Sequence, residues 1–373
     1  HGDHEGRVVV VHNGIIENHQ VLKEQLLERG HEFKSETDTE VLAHLVEEYH
    51  QEGLLQAVKE ALLAVQGTYG IAVLSADHPG KVVIAAKGSP LILGIGEKGI
   101  WAASDVCALV SHTREVVYLH DDDLVLIDSE GYQISNLHSQ DISRPKRAID
   151  WDIKAAEKQG YPHFMLKEIH EQPQAVRNAM RGRLLQAEGM PKLGGLRDVW
   201  KQIVDMERLF IVSCGTSYYA GLLGRYIIEE STDIAVEVDL ASEFRYRKLN
   251  FKEGTVVLAI SQSGETADTL VAIREARRKG ALVLGLVNVV GSTIARETDA
   301  GVYNHAGPEV GVASTKSFIS QLTILYLIAL SLARHQTLSL SEGQAFLKEL
   351  ISIPEKIQQI LDGAAHIQAI ARR

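Results

Sequence analysis

The stretch TVVLAISQSGETADTLVAIREARRKG, residues 255–280, decides the fold that we predict for this chain. Val256 to Ile260 form a short apolar run rich in β-branched residues, which is typical of a buried parallel strand. From Ala267 onward the apolar residues recur at helical spacing, and Gly280 stands where helices commonly end. The pattern therefore predicts a strand, a polar turn and a helix.

The turn between this strand and this helix is rich in hydroxyl groups and consists of Ser261, Gln262, Ser263, Gly264, Glu265 and Thr266. The first N–H groups of a helix lack partners within the helix, and the helix dipole is positive at that end. An anion can bind there, and phosphate is the anion that we expect. The alternative is that the hydroxyl groups only cap the helix, as Ser and Thr do in many proteins.

A second strand-to-helix turn repeats this chemistry. Leu209–Ser213 are predicted as a strand and 218–230 as a helix, and the residues between them include Cys214 and Ser217. In an open parallel sheet, ligands bind outside the carboxyl ends of the strands at a switch point. Two hydroxyl-rich turns at that edge can converge on one ligand, which favours a binding site over two separate caps. Cys214 is interpreted as a small buried residue, because no histidine stands beside it.

Strands and helices also alternate around these two turns. Further strands are predicted near 235–239 and 282–287, with helices near 242–246, 315–333 and 341–361, the last of them interrupted at Pro354. Alternation of this kind implies right-handed crossovers and a doubly wound parallel sheet. The second part of the chain is therefore predicted to be an α/β domain.

The first part of the chain has a different pattern. A strand over 7–12 is predicted to end at Asn13-Gly14, and three helices precede a series of short strands separated by glycine turns. Such spacing favours an antiparallel sheet covered by helices, which is an α+β layer domain. Periodicity fades and charge rises in the middle of the chain, as in a linker. The predicted domains are 1–140 and 161–373, with a linker over 141–160.

Composition restricts the classes of function. The formal net charge of −11 over 373 residues argues against nucleic acid as a partner, because a phosphate backbone requires clustered Lys and Arg. No membrane association is expected, since no long uninterrupted apolar run occurs. Only two cysteines are present, which favours a reducing cytoplasm. No histidine or cysteine stands at a recognised zinc spacing, so neither a metal site nor a cofactor is expected.

Six motifs resemble the glutamine–fructose-6-phosphate aminotransferase family. VVHNGIIEN and SETDTEV, at 10–18 and 35–41, are similar to the later part of its N-terminal-nucleophile glutaminase domain. Four more are similar to its first sugar-isomerase (SIS) domain, namely SCGTSYYAG, ASEFRYR, ISQSGETADT and EVGVASTKSF. The resemblance covers nearly the whole chain. It implies transfer of the amide nitrogen of glutamine to fructose 6-phosphate, giving glucosamine 6-phosphate and glutamate.

The resemblance also implies roles for particular residues. Asn13 and Gly14 would form an oxyanion hole, and Asp38 would bind the α-amino group of glutamine, although helix capping is its alternative role. Eight residues would surround the sugar phosphate: Ser217, Ser261, Gln262, Ser263, Thr266, Val312, Ala313 and Ser314. The family dimerises through its isomerase part, so a homodimer is expected.

Two features of the family have no counterpart in this sequence. They are the amino-terminal cysteine nucleophile and a second SIS domain carrying the acid/base residues of the isomerase. The resemblance therefore implies an internal fragment that by itself neither releases ammonia nor isomerises a sugar. Two other functions stay open: a non-catalytic phosphosugar-binding SIS module, and a related aminotransferase or deglycase acting on another sugar phosphate.

Overall fold

The computed structural model describes five stretches of the chain: 1–50, 53–138, 141–149, 157–252 and 254–372. Contacts divide the chain into two units, His1–Asp150 and Trp151–Arg373. The first contains antiparallel sheets with helices, and the second contains a parallel sheet between helices. The predicted fold class, α/β combined with α+β, is therefore confirmed.

The described residues of the first unit form two antiparallel sheets and three α-helices. Its strands are β1 Val8–Ile16, β2 Gly67–Ser75, β3 Val82–Lys87, β4 Ile92–Gly96, β5 Gly99–Ala103, β6 Glu115–Tyr118, β7 Asp123–Asp128, β8 Gly131–Asn136 and β9 Arg147–Ala148. The strand orders are β1-β2-β3-β7-β8 and β5-β4-β6-β9. The helices are α1 His19–Glu28, α2 Asp38–Glu48 and α3 Leu54–Leu63.

The hydrophobic pattern of β1 explains how this layer forms. Val8 and Val10 are buried, whereas Val9 and Val11 are exposed, which is the period of two expected of a strand with one covered face. The buried side chains belong to one core cluster with residues of α2 and α3, among them Val41. The helices therefore cover one face of the five-stranded sheet and hold β1 in register.

The predicted end of β1 is wrong. The strand continues through Asn13 and Gly14 to Ile16, because it keeps its pairing with β2. In this ladder Asn13 lies opposite Gly70, and Gly14 lies opposite Tyr69. The two residues proposed for the oxyanion hole are thus part of a regular antiparallel pair.

Residues 141–149 belong to the first unit and pack against its sheets. β9 pairs with β6, and Arg144 donates two hydrogen bonds of 2.8 Å to the carboxylate of Asp123. Asp123 is only 1% exposed, so this charged pair is well shielded from water. This segment is the first part of the predicted linker, and residues 150–156 lie outside the described residues.

The second unit is built on a parallel five-stranded sheet. Its strands are β12 Arg208–Ser213, β13 Ala235–Leu240, β14 Thr255–Ser261, β15 Leu282–Val287 and β16 Ala300–Tyr303, following a short hairpin of β10 Leu184–Leu185 and β11 Met190–Pro191. The order is β13-β12-β14-β15-β16. The chain passes from β12 to β13 on one side of it, and then crosses to β14, β15 and β16 on the other side. The direction of strand addition therefore reverses between β12 and β14, which is the switch point of the sheet.

Helices lie on both faces of this sheet. They are α4 Phe164–His170, α5 Gln172–Met180, α6 Trp200–Val204, α7 Gly215–Ser231, α8 Ala241–Phe244, α9 Ala267–Arg278, α10 Thr293–Glu297, α11 Lys316–Gln336, α12 Leu340–Asp362 and α13 Ala364–Ala371. One core cluster contains residues of α7 and α11, and a separate cluster contains residues of α9. Neither α10 nor β16 is among the elements that the sequence predicts, because each is only one turn or a few residues long.

Helix α11 is the central helix of this unit. It is long and apolar enough to cross a membrane by length and composition, but 78% of that stretch is buried inside the protein. Ile324, Leu325 and Leu327 are each 0% exposed. Burial in the core of this unit therefore accounts for the apolar composition of α11.

The predicted interruption of α12 at Pro354 is wrong. The helix continues through this residue, although proline lacks an N–H group and costs a helix interior about 3 kcal/mol. Pro354 is buried on the same stripe as Leu347 and Leu350, at helical spacing. Burial of the two leucine side chains stabilises by roughly 1.5–3 kcal/mol each, which is enough to offset the cost of the proline.

Candidate functional site

The turn after β14 is braced by its own hydroxyl groups. The oxygen of Ser261 accepts a 3.0 Å hydrogen bond from the Gly264 N–H and lies 3.0 Å from the hydroxyl of Thr266. The hydroxyl of Ser263 accepts a 3.1 Å bond from the Glu265 N–H. The carboxylate of Glu265 in turn accepts from the N–H of Thr293 at the start of α10. The turn is therefore held in one shape before any ligand binds.

These hydroxyl groups do not cap the helices that follow them. Thr266 is the N-cap residue of α9 and Cys214 is that of α7, and neither side chain makes a capping hydrogen bond. The helices have 12 and 17 residues, so both contribute a full dipole. Capping alone does not account for the residue types in either turn.

Buried polar atoms without a hydrogen-bond partner are found at the same edge of the sheet. Among the described residues they include Ser213 Oγ at the end of β12, Gln262 Nε2 after β14 and Ser292 Oγ after β15. β12 and β14 are neighbours, with Ser213 paired with Ile260. Buried polar groups in folded proteins nearly always have a partner, so such atoms at a switch point indicate a site for a polar ligand.

Helix α11 contacts the first turn of α7 at this edge. Gln321 donates a 3.0 Å hydrogen bond from Nε2 to the hydroxyl oxygen of Ser217. Ser217 is 6% exposed and Gln321 is 1% exposed, so water competes little for this bond. The structure thus links Ser217 to α11, and α7 begins at Gly215, three residues earlier than the sequence predicts.

Two buried glutamates hold the connection that leads into α11. Glu168 accepts hydrogen bonds of 2.7 and 3.1 Å from the backbone N–H groups of Val310 and Gly311. Glu309 accepts from the hydroxyl of Ser314 at 2.7 Å and from the N–H of Thr315 at 2.9 Å. The chain between these anchors, residues 312 and 313, is consequently fixed at both ends.

The three predicted sugar-phosphate residues in this connection have different surroundings. Val312 is fully exposed, and Ala313 follows it between the two glutamate anchors. Ser314 donates its hydroxyl proton to Glu309 and is not hydrogen-bonded to either hydroxyl-rich turn. The structure therefore brings Ser261 and Thr266 together and ties Ser217 to α11. Ser314 is joined to Glu309, and residues 312 and 313 lie between the two glutamate anchors.

Cys214 is unsuited to act as a nucleophile. Burial raises the pKa of its thiol, and the charge of Asp268 raises the pKa further. The thiolate is the reactive form, so a raised pKa lowers reactivity at neutral pH. This agrees with the prediction that Cys214 is not a nucleophile, although the residue is half-buried and not buried as predicted.

The predicted glutamine-binding residues lie at one end of β1. Asp38, the first residue of α2, accepts a 2.8 Å hydrogen bond at Oδ2 from the backbone N–H of Ile16. Thr37, not Asp38, caps the helix, since its side chain accepts from the N–H of Thr39. Asp38 thus ties the start of α2 to the strand that carries Asn13 and Gly14. Both of these residues are exposed.

The anchors Glu168, Glu309 and Gln321 are not among the residues that the sequence analysis assigns. Glu309 belongs to a motif that is quoted there, but its role depends on folding of the chain around its carboxylate. Glu168 and Gln321 contact residues more than 100 positions away, and no local pattern reports such a contact. For the two glutamates, the one available signal of an anchoring role is their burial, because a buried charged group requires hydrogen-bonding or oppositely charged partners.

Replacing Glu309 with alanine is expected to loosen the connection into α11. The backbone N–H groups of Thr315 and Ser317 lose their acceptor, and each hydrogen bond to a charged group is worth about 1.5–3 kcal/mol. Hydrogen exchange of the amides at 314–317 should become markedly faster. Glu349→Ala is the matched control, because its pair with Lys356 is exposed and exposed ion pairs contribute little to stability. Equal exchange in the two variants would contradict the anchoring role.

Comparison with known proteins matches each unit to a family. Residues 1–111 match the glutamine amidotransferase domain, and residues 202–331 match the SIS domain. The solved C-terminal domain of glucosamine-fructose-6-phosphate aminotransferase from Francisella tularensis is similar to 58% of this chain, with a TM-score of 0.55 and 36% identity, over 60% of that chain.

Curated relatives match almost the whole chain. The isomerizing glutamine–fructose-6-phosphate aminotransferase of Chlorobaculum tepidum is 46% identical over 370 residues, covering 98% of this chain and 60% of the relative. That of Thermus thermophilus is 45% identical over 374 residues, covering 100% of this chain and 61% of the relative. The chain therefore spans about 60% of the length of the curated relatives that it matches.

The fold and both matches define the class of protein: a glutamine amidotransferase domain followed in the same chain by a SIS domain. Within that class, the chain is similar along nearly its full length to the isomerizing glutamine–fructose-6-phosphate aminotransferases, at 45–46% identity.

Proposed function

We propose that this chain takes part in transferring the amide nitrogen of glutamine to fructose 6-phosphate, which gives glucosamine 6-phosphate and glutamate. In this proposal the second unit binds the sugar phosphate and the first unit contributes to the glutamine site. The observation that carries it is the pair of buried, unpartnered polar atoms at the switch point, Ser213 Oγ and Gln262 Nε2, before the N-termini of two helices without side-chain caps. The names of the curated relatives support the choice of substrates.

The phosphate would bind at the turn after β14. Ser261 and Ser263 already accept bonds from backbone N–H groups, so their hydroxyl protons can point toward a phosphate oxygen. The dipole of α9 adds roughly 0.3–1 kcal/mol, whereas each hydrogen bond to a charged group adds about 1.5–3 kcal/mol. The hydroxyl and amide donors would therefore provide most of the affinity, with Gln262 and Thr266 beside them and Ser217 on the neighbouring turn.

Residues 312–314 would line the same pocket from the connection into α11. This proposed role is supported by the hydrogen bonds of Glu168 and Glu309, which fix the backbone on both sides of this segment. A fixed backbone loses little conformational entropy when a ligand binds. In this proposal Val312 and Ala313 contribute backbone contacts, and Ser314 contributes its hydroxyl oxygen.

In the first unit, Asn13 and Gly14 would stabilise the oxyanion of the tetrahedral intermediate formed from glutamine. An amide side chain and a backbone N–H group on one strand can both be aimed at a developing negative charge. Asp38 would bind the α-amino group through its carboxylate. This role is supported by the observation that Thr37 caps α2, so helix capping does not explain the carboxylate of Asp38.

Three further statements belong to this proposal. The domains would be a glutaminase part over 1–140, a linker over 141–160 and a SIS domain over 161–373. The protein would act in the cytoplasm as a homodimer. Glutamine and fructose 6-phosphate would be its ligands, without nucleic acid or membrane.

The test is a thermal-shift titration with fructose 6-phosphate, alongside fructose and inorganic phosphate. A ligand at a hundred times its dissociation constant is expected to stabilise the folded state by about 2.7 kcal/mol. Ser263→Ala should weaken binding roughly 10- to 100-fold, since one hydrogen bond to a charged group is lost. Ser352→Ala, whose hydroxyl donates to a carbonyl within α12, is the control and should bind normally.

The three ligands separate the possible outcomes. A shift with fructose 6-phosphate alone that is reduced in Ser263→Ala supports a phosphosugar site at this turn. An equal shift with inorganic phosphate would indicate a simple anion site. Absence of any shift in a folded chain would overturn the proposal that this unit binds the substrate.

A further inference from the structure

Two histidines and a glutamate of the first unit meet at one point. His31 follows α1, and His44 and Glu47 lie three residues apart on α2. The Nδ1 atoms of the two rings are 3.2 Å apart, and Glu47 Oε2 lies 3.1 Å from each of them. The three atoms form a nearly equilateral triangle. The sequence analysis expects no metal site, because these residues have no familiar spacing.

The size of this triangle matches a metal coordination sphere. A tetrahedral zinc ion with bonds of about 2.0 Å separates its ligand atoms by roughly 3.3 Å. The three edges observed here, 3.1 to 3.2 Å, are close to that value. Two imidazole nitrogens and one carboxylate oxygen are also ligand types that zinc prefers.

Carboxylates lie next to the second nitrogen of each ring. His31 Nε2 is 2.9 Å from Glu48 Oε2, within hydrogen-bond distance, whereas His44 Nε2 is 3.8 Å from Glu40 Oε1 and makes no hydrogen bond. Metal-binding histidines usually donate their other N–H group to a carboxylate, which fixes the ring and its tautomer.

The cluster is shielded but reachable. The side chain of His44 is 0% exposed, that of His31 is 12% exposed and that of Glu47 is 16% exposed. A cavity of about 220 Å³ is lined by His31 and Glu47 together with His4, Glu5, Arg29, Gly30 and Glu32. A metal ion can therefore enter from this side, and a water molecule in the cavity can supply its fourth ligand.

Protons are the competing occupants of this cluster. Both nitrogens of His31 face carboxylates, and the Nδ1 atoms of both rings lie 3.1 Å from the same oxygen of Glu47. Two guanidinium groups also lie nearby, since Arg7 is 3.4 Å from Glu47 Oε1 and Arg29 is 3.1 Å from Glu48 Oε1. A divalent ion would take the place of protons between the two Nδ1 atoms and Glu47 Oε2. It would leave the ion pairs Arg7–Glu47 and Arg29–Glu48 intact.

We propose that His31, His44 and Glu47 bind one divalent transition-metal ion, and that Zn²⁺ is the ion that fits best. The ion joins the segment after α1 to the second half of α2. Glu40, also on α2, accepts hydrogen bonds from the N–H groups of Lys34 and Ser35. The connection between α1 and α2 is therefore held by the ion at His31 and by Glu40 at residues 34 and 35. This role is structural and does not depend on the proposed transferase activity.

The test measures the metal directly in the tag-free full chain. After treatment with a chelator and dialysis against Zn²⁺, elemental mass spectrometry should find one ion per chain, and Co²⁺ should give the visible absorption of a tetrahedral site. His31→Gln should lose binding. Glu48→Gln, which removes the carboxylate beside His31 Nε2 together with its ion pair to Arg29, should weaken affinity by about 10- to 100-fold. His138→Gln is the control, because this histidine is exposed and outside the cluster.

Circular dichroism of each variant verifies folding. If His31→Gln does not fold, Glu47→Gln takes its place, since Glu47 is partly exposed. The proposal is overturned if the wild-type chain binds neither Zn²⁺ nor Co²⁺ at neutral pH. It is equally overturned if the ligand variant binds as much metal as the wild-type chain, because the ion then lies elsewhere.

Discussion

Replacing Gly264 with alanine is expected to abolish sugar-phosphate binding and to destabilise the SIS domain. Gly264 has a φ of +68°, and an added Cβ would lie 2.0 Å from Ser292 Oγ and 2.5 Å from Ser292 Cβ. The left-handed backbone costs a non-glycine residue roughly 1–2 kcal/mol, and overpacking costs typically about 1–3 kcal/mol more. The turn must move to relieve the contact, and its hydroxyl groups move with it.

Gly280→Ala is the matched control. Gly280 follows α9 in the same strand–turn–helix unit, has a φ of +85° and has no heavy atom within 4 Å of the position of an added Cβ. It should lose only the conformational cost, about 1–2 kcal/mol, and should bind fructose 6-phosphate normally. Stability and binding are measured by urea unfolding and by the thermal-shift titration.

A double variant separates the contact from the backbone strain at Gly264. Combining Gly264→Ala with Ser292→Gly removes the clashing side chain and keeps the unfavourable φ. Part of the lost stability should return, while the conformational cost persists. If Gly264→Ala alone behaves like Gly280→Ala, the close approach to Ser292 is not what requires a glycine in this turn.

Sequence predicts the strand, turn and helix at 255–280 closely, because local patterns determine that unit. The buried run becomes β14, and α9 ends just before Gly280. The prediction at Pro354 fails because it weighs a local cost alone. The proline ring lies on the buried stripe of α12, and the energy of that burial depends on elements distant in the chain.

The anchors of the candidate site were out of reach of sequence reasoning for the same reason. Ser217 and Gln321 are 104 residues apart, and Glu168 and Val310 are 142 residues apart. Part of the histidine cluster could have been found, since residues three apart on a helix lie on one face. His44 and Glu47 have that spacing, but the third ligand, His31, comes from another segment. Only the folded connection between α1 and α2 brings it close.

Replacing Gly14 with alanine is expected to break the pairing between β1 and β2. Gly14 has a φ of +149°, and an added Cβ would lie 2.1 Å from the carbonyl oxygen of Thr68 and 3.0 Å from His12 Nε2. The first contact is with backbone, which cannot turn away as a flexible side chain can. We expect a loss of at least about 3 kcal/mol in stability of the first unit, from strain and overpacking together. Hydrogen exchange at 13–16 and 67–70 should report it.

Gly6→Ala separates the contact from the backbone preference. Gly6 lies in the same unit with a φ of +71°, and no heavy atom lies within 4 Å of its added Cβ. Its cost should stay near 1–2 kcal/mol, so the difference between the variants measures the close approach at Thr68. Both should bind fructose 6-phosphate like the wild-type chain, because that site belongs to the second unit. Equal destabilisation by the two substitutions would mean that β1 and β2 do not approach this closely at Gly14, and the proposed oxyanion hole would lose the fixed strand geometry on which it depends.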